Sequence, residues 1–264
     1  MALLVTCDAG GDRIPESLRE PLAQAGISSV IPGIEPLINE TSINESSVSR
    51  DDPSRLLMPP IDREAGLAAR LIADHAECDL IANPYRADLV DVGRSVHHRN
   101  LFRPSVRKLP AKVRKAILSE IRTPYRETVR RRISEMLLQY PYVVHLSIRT
   151  FAARTASGQW QRGDVGLLYD PGRADELDWC LDLSDELYFA MPDLRVRRNH
   201  PGRGTNDSLT KAMRKHFYDV HYLGVEVVLN RAWVARPVLR RREVLRVLAN
   251  AIREVTPEAT PQAA

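Results

Sequence analysis

Short apolar segments suited to strands alternate with stretches of helical periodicity along most of the chain, and this alternation restricts the fold more than any other feature of the sequence. The strand-like runs are A-L-L-V-T-C (2–7), L-I-A (80–82), D-L-V-D-V (88–92), V-V-H-L-S-I-R (143–149), D-V-G-L-L-Y (164–169), L-R-V-R (194–197) and G-V-E-V-V-L-N (224–230). Helical patterns fall between them. Pro15 opens one over 15–25, and Asp62 caps another whose apolar face is Ala65, Leu67, Ala68, Leu71 and Ile72. Further helices are predicted at 111–121, 124–139, 174–190, 208–216 and 241–254. The pattern predicts an α/β protein: a three-layer α/β/α sandwich around a mostly parallel or mixed central sheet, in one domain over 1–255.

With 264 residues, 44% of them hydrophobic, the chain has ample material for a packed core. Its net charge of +4 is spread among mixed signs, which argues against nucleic acid as a partner. Three cysteines, Cys7, Cys78 and Cys180, lie far apart with no CxxC pair, so neither a disulfide framework nor a cysteine zinc site is expected. No apolar run approaches the roughly 20 residues that cross a bilayer. The opening M-A-L-L-V-T-C reads as a core strand rather than a signal peptide, and a cytoplasmic location is expected. A polar stretch over 27–60 has neither periodicity and is expected to be a long loop, functional or disordered; a disordered tail is expected at 256–264.

In open α/β sheets ligands collect beyond the carboxyl ends of the strands. The loops there begin at Asp8, Asp91, Arg149, Asp170 and Asn199, and are rich in Arg and acids. Arg149 ends a strand that carries His145 and Ser147 on the same alternation. An arginine cannot surrender a proton or coordinate a metal.

Seven blocks then occur in one order: D-A-G-G-D-R-I-P, D-V-G-R-S, P-Y-R-E-T-V, V-V-H-L-S-I-R-T-F, D-V-G-L-L-Y-D-P-G-R, R-V-R-R-N-H-P-G-R-G-T-N-D-S-L-T and G-V-E-V-V-L-N-R. In these blocks, over about 2–233, the chain resembles the N-formylglutamate amidohydrolase family. The resemblance implies a phosphorylase/hydrolase-like α/β/α fold, distantly similar to zinc carboxypeptidases, and hydrolysis of a small N-acyl amino acid. It also implies a zinc held by three protein ligands that activates a water, with a glutamate shuttling the proton. Carried onto this chain, Glu226 matches the general base and Asp62 an acidic metal ligand, with Asp8 beside the first ligand position. Arg94, Arg162, Asn199 and Arg203 fall in the blocks expected to bind the substrate.

The chain departs from the family pattern at positions that matter. Ala9 and Arg149 stand where the family places its liganding histidines, Gly93 where it has an asparagine, and Val228 where it has a second acid. Arg149 is therefore expected to pair with Asp8, Asp62 or Glu226 in the metal's stead, or else to contact a substrate. His97 and His98 read as a surface pair or, with Asp91, as a relocated metal site; Arg94 and Arg162 read either as anion contacts or as partners of Asp91 and Asp164. Two functions follow from these residues: a zinc hydrolase of small N-acyl amino acids, or a degenerate relative that binds an acidic small molecule without turnover.

Overall fold

The computed structural model describes residues 2–27, 62–235 and 237–256. The stretch 28–61 and the segment 257–264 lie outside them, and with them most of the expected polar loop and tail.

Three strands rich in β-branched and other apolar residues form the centre of the sheet: β1 (Ala2–Cys7), β3 (Val143–Phe151) and β6 (Tyr222–Asn230). Nearly all their residues are buried, because helices cover both faces. The short strands β2 (Asp79–Ala82), β4 (Val165–Leu168) and β5 (Val196–Arg198) complete the order β2-β1-β3-β6-β4-β5. All neighbours are parallel except β4 and β6, so the sheet is mixed.

Alternation along the strands sorts the side chains into two cores. Val5, Cys7, Val144, Leu146 and Ile148 pack under α2 (Arg63–His75), α6 (Ala174–Ala190) and α8 (Val238–Glu254). Leu4, Val143 and Tyr222 face the opposite layer, α1 (Glu16–Gln24), α4 (Ala111–Ile117), α5 (Thr123–Leu137) and α7 (Leu209–Arg214). The short α3 (Pro104–Arg107) buries Val106 in this second core. The fold is thus the expected α/β sandwich of three layers. On α5 the buried residues Tyr125, Val129, Ile133 and Met136 follow the helical period, and each contributes about 1.5–3 kcal/mol of apolar burial.

Two caps behave as their sequences require. Asp62 accepts the Ala65 amide at 3.2 Å and starts α2, while Ser208 accepts the Lys211 amide at 3.2 Å and starts α7. The first loop lies hard against α2: a Cβ on Gly10 would sit 2.7 Å from the Gly66 Cα, so only glycine permits this approach.

Several elements differ from expectation. D-L-V-D-V at 88–92 is not a strand. Arg86 bonds the Asp88 carboxylate at 2.6 Å, the segment turns, and Leu89, Val90 and Val92 reach the core from a loop. No break separates the helices around Pro124, because a π-helical turn, Leu118–Arg122, carries α4 straight into α5. Strand β5 begins at Val196 rather than 194, since Arg195 is drawn back to Asp164 at 3.1 Å. Leu67 faces outward at 49% exposure, and Ala69 and Ala73 take the buried side of α2 in its place. Helix α8 starts three residues early, immediately after Pro237.

Candidate functional site

Strand register assembles the site. Thr6 of β1 pairs with Ser147 of β3, and Ser147 with Glu226 of β6. Two residues further on, on the same face, Asp8 and Arg149 emerge side by side at the carboxyl ends of β1 and β3. Below them the polar column continues inward: His145 Nε2 lies 2.9 Å from the Thr6 hydroxyl and His145 Nδ1 2.7 Å from the Tyr222 hydroxyl. Burial, reinforced by Arg214, pulls the His145 pKa down to about 3, so this histidine is a neutral strut.

The Arg149 guanidinium spans two carboxylates. Its Nη2 donates to Asp91 Oδ2 at 3.2 Å, and its Nη1 lies 3.8 Å from Asp8 Oδ2. Asp8 is almost wholly buried; Tyr125 donates its hydroxyl to Oδ1 at 2.8 Å, and Oδ2 has no hydrogen-bond partner among the described residues. Burial pushes the Asp8 pKa up to about 6 although Arg149 opposes it, with Asp91 adding to the rise. Asp91 shifts the other way: burial would raise it, but Arg149 and Arg94 together hold it below the ordinary carboxylate range. The two acids thus differ because Asp91 receives close donors from Arg149, Arg94 and the Gly93 amide.

Asp62 joins this end of the sheet through its backbone, whose N–H donates to the Ala9 carbonyl at 3.0 Å. Its carboxylate is fully engaged. Oδ1 takes the Ala65 amide, while Oδ2 takes the Thr150 amide at 3.1 Å and the Thr150 hydroxyl at 2.6 Å. Asp62 is therefore a structural cap, and Arg149 pairs with Asp91 and Asp8 rather than with Asp62 or Glu226. Glu226, 6% exposed, accepts from Thr210 at 3.4 Å and adds negative charge beside Arg149.

A cavity of about 320 Å³ opens on this cluster. Asp8, Asp91 and Arg149 line its interior, and Phe102, Arg103 and Arg107 stand at the loop side. Arg103 and Arg107 were not singled out by the sequence patterns, because the basic loop that carries them lies 42 or more residues before Arg149 and follows no periodic pattern.

The other expected substrate residues are dispersed. Arg94 bridges Asp91 at 3.3 Å and the Asp207 carbonyl, so it braces two loops. Asn199 takes a left-handed φ of 48° and its side chain accepts the Tyr169 and Gly204 amides, which makes it a loop fastener. Arg162 and Arg203 are exposed and do not line the cavity, while Asp164 pairs with Arg195. Val228 is buried against Phe151 and Leu168.

These residues do not fit a zinc ion. At the three positions that the sequence resemblance matches to zinc ligands stand a methyl group, a carboxylate that already takes three protein donors, and a guanidinium. Two of the three offer no lone pair, and the fixed cation repels a dication. Among the described residues, no group of three or more His, Cys, Asp or Glu side chains is arranged to hold a metal. Nor do His97 and His98 form such a group with Asp91.

No protein-family model matches this chain, and no curated protein matches it. Among solved structures it is similar to the gene product Atu2144 from Agrobacterium tumefaciens, with a TM-score of 0.69 and 18% identity over 96% of this chain and 90% of that one. It is also similar to N-formylglutamate amidohydrolase from Ralstonia eutropha JMP134, with a TM-score of 0.57 and 14% identity over 97% of this chain and 93% of that one. Among the described residues no helix is long and apolar enough to cross a membrane. The resemblance carried by the ordered sequence blocks therefore holds at the level of the fold: this chain shares the α/β architecture of an N-formylglutamate amidohydrolase.

Proposed function

We propose that this chain is a non-hydrolytic relative on the N-formylglutamate amidohydrolase fold, which binds a small acidic ligand, an N-acyl amino acid or a related carboxylate, and does not turn it over. The observation that carries this reading is the Arg149 bridge between Asp8 and Asp91 at the strand ends. A guanidinium supplies the positive charge that holds these acids together. It is no Lewis acid and cannot coordinate a water as a metal ion does.

On this reading Glu226 balances Arg149 and holds Thr210 rather than acting as a general base. The ligand's carboxylate is received by Arg103 and Arg107, whose forked donors suit that geometry. Its acyl end enters toward Asp8 Oδ2, which has no hydrogen-bond partner among the described residues. Cytoplasmic location and independence of membranes and nucleic acid belong to the same reading.

The test pairs elemental mass spectrometry of the purified chain with thermal melts in N-formylglutamate and related N-acyl amino acids. Binding without turnover raises the melting temperature, by about 2.7 kcal/mol of added stability at a ligand concentration 100 times Kd. No product forms and no stoichiometric zinc is retained. About one zinc per chain with measurable amide hydrolysis would overturn the proposal in favour of a rebuilt metal site.

A further inference from the structure

The basic loop that follows Asp91 is built into a second concavity, separate from the Arg149 cavity and sharing none of its lining residues. This groove, about 680 Å³, lies between three elements. The loop contributes His97, His98 and Arg99, α5 contributes Arg126, and α7 with the turn after it contributes Lys211 and Lys215.

On several exposed helix faces arginines pair with nearby acids, as in Arg130 with Glu127, Arg132 with Glu135 and Arg240 with Glu243. In the groove, Arg99, Arg126, Lys211 and Lys215 form no ion pair among the described residues. Arg126 donates to the Val92 and Gly93 carbonyls and Lys211 to the Thr205 carbonyl, which position the two cations without neutralising them. Asp207 is the one acid in the lining, and its carboxylate already accepts the Ser95 amide at 2.8 Å.

Nor is the groove a chance meeting of loose side chains. Asp207 ties the loop down through Ser95, Arg122 donates to the Arg94 carbonyl at 2.9 Å, and the His98 ring accepts the Asn100 amide at 3.1 Å. Arg122 stands one helical turn before Arg126, and its pKa is drawn down to about 10 by burial and by that neighbouring guanidinium. Like charges at this spacing oppose each other on a helix. The fold thus holds Arg126 and Lys211 in place, and the exposed Arg99 and Lys215 add positive charge beside them.

We propose that this groove binds the phosphate group of a small phosphorylated ligand, a phosphomonoester or diphosphate. Donors reach it from three sides, which matches the three terminal oxygens of a phosphate better than the single plane of a carboxylate. Four unpaired cations match a group of two or more negative charges. The volume leaves room for an organic body beyond the phosphate.

The experiment is isothermal titration calorimetry of the full chain with inorganic pyrophosphate at constant ionic strength. Saturable binding of one pyrophosphate per chain is expected. Lys215→Gln is expected to weaken it about tenfold and Lys211→Gln by at least as much, since each removes a charge-assisted contact. Arg130→Gln, outside the groove, is expected to leave it unchanged. Lys215 is exposed and only its backbone amide is bonded, to the Ala212 carbonyl, so its side-chain variant folds like the parent and keeps the test sharp. Absence of pyrophosphate binding would overturn the proposal. So would equal weakening in all three variants, and so would binding of single-stranded oligonucleotides with a steep salt dependence but none of pyrophosphate.

Discussion

Arg149 donates to Asp91 across 58 residues of sequence, at 3.2 Å, and this contact joins the end of β3 to the loop that also bounds the basic groove. The pairing is partly sheltered, with the Arg149 side chain 18% exposed and that of Asp91 22%. Removing the guanidinium strands Asp91 and nearly buried Asp8 without a cation. Arg149→Ala is expected to cost about 3 kcal/mol, the lower end for a buried pair. Arg149→Lys, which keeps the charge but loses the fork, is expected to cost less. Urea unfolding of both variants measures this; an Arg149→Ala chain as stable as the parent would mean that the bridge holds nothing together.

The raised pKa of Asp8 has a definite sign in stability. Its folded value of about 6 exceeds the roughly 3.9 of an unfolded aspartate, so the folded state binds the proton more tightly. The contribution of Asp8 is fully present below about pH 4 and is lost as pH rises through 6. The stability of the parent relative to Asp8→Asn is therefore expected to fall between about pH 4 and 6 and to level off above. Denaturant titrations at five or six pH values give this difference directly, and a flat or rising difference contradicts the assignment.

Gly93 and Arg149 depend on each other. A Cβ at position 93 would lie 2.6 Å from Asp8 Oδ2, 3.3 Å from Asp91 Oδ1 and 3.4 Å from Arg149 Nη1, in the space that the three charged groups share. The glycine thus makes room for the bridge. Gly93→Asn is expected to destabilise the parent by about 1–3 kcal/mol, as overpacking does. In an Arg149→Ala background, where Asp8 and Asp91 are free to shift, the cost is expected to shrink, with a coupling energy of about 1 kcal/mol in a double-mutant cycle. Additive losses would show that the two positions are independent.

How much of this was legible in the sequence depended on how local the cause was. Helix α6 has the boundaries its pattern predicts, Ala174 and Ala190, because they follow from near-neighbour periodicity. The central strands stood out because β-branched and other apolar residues recur at alternate positions along them, even where polar groups face the site. The D-L-V-D-V segment misled because its apolar residues are buried from a loop, which composition cannot distinguish from a strand. At the site, the sequence placed Arg149 among acids at the strand ends but not its main partner: nothing in the spacing of Asp91 from residue 149 favours it over Asp62. Arg103 and Arg107 gained a role only from the fold of their loop.

The same blindness to distance hid a buried acid with four close donors. Glu176, 1% exposed, takes Arg214 Nε at 2.7 Å and Nη2 at 2.8 Å, and accepts the Asp170 and Gly224 amides as well. It thereby locks α6, α7 and β6 together. Arg214 also donates to the Gly204 and Gly224 carbonyls, and Arg173 Nη1 stands further off, 3.7 Å from Glu176 Oε1. Glu176→Ala is expected to cost about 3–5 kcal/mol, because a guanidinium then stays buried without its counter-charge. The double replacement Glu176→Met with Arg214→Met removes both members of the close pair and leaves only the partly exposed Arg173 without its carboxylate, so it is expected to recover much of that loss, less the bonds to backbone groups that stay unmade. Equilibrium unfolding of the single and double variants distinguishes the two causes. If the double variant is no more stable than Glu176→Ala, the backbone hydrogen bonds rather than the charge balance hold this corner of the fold.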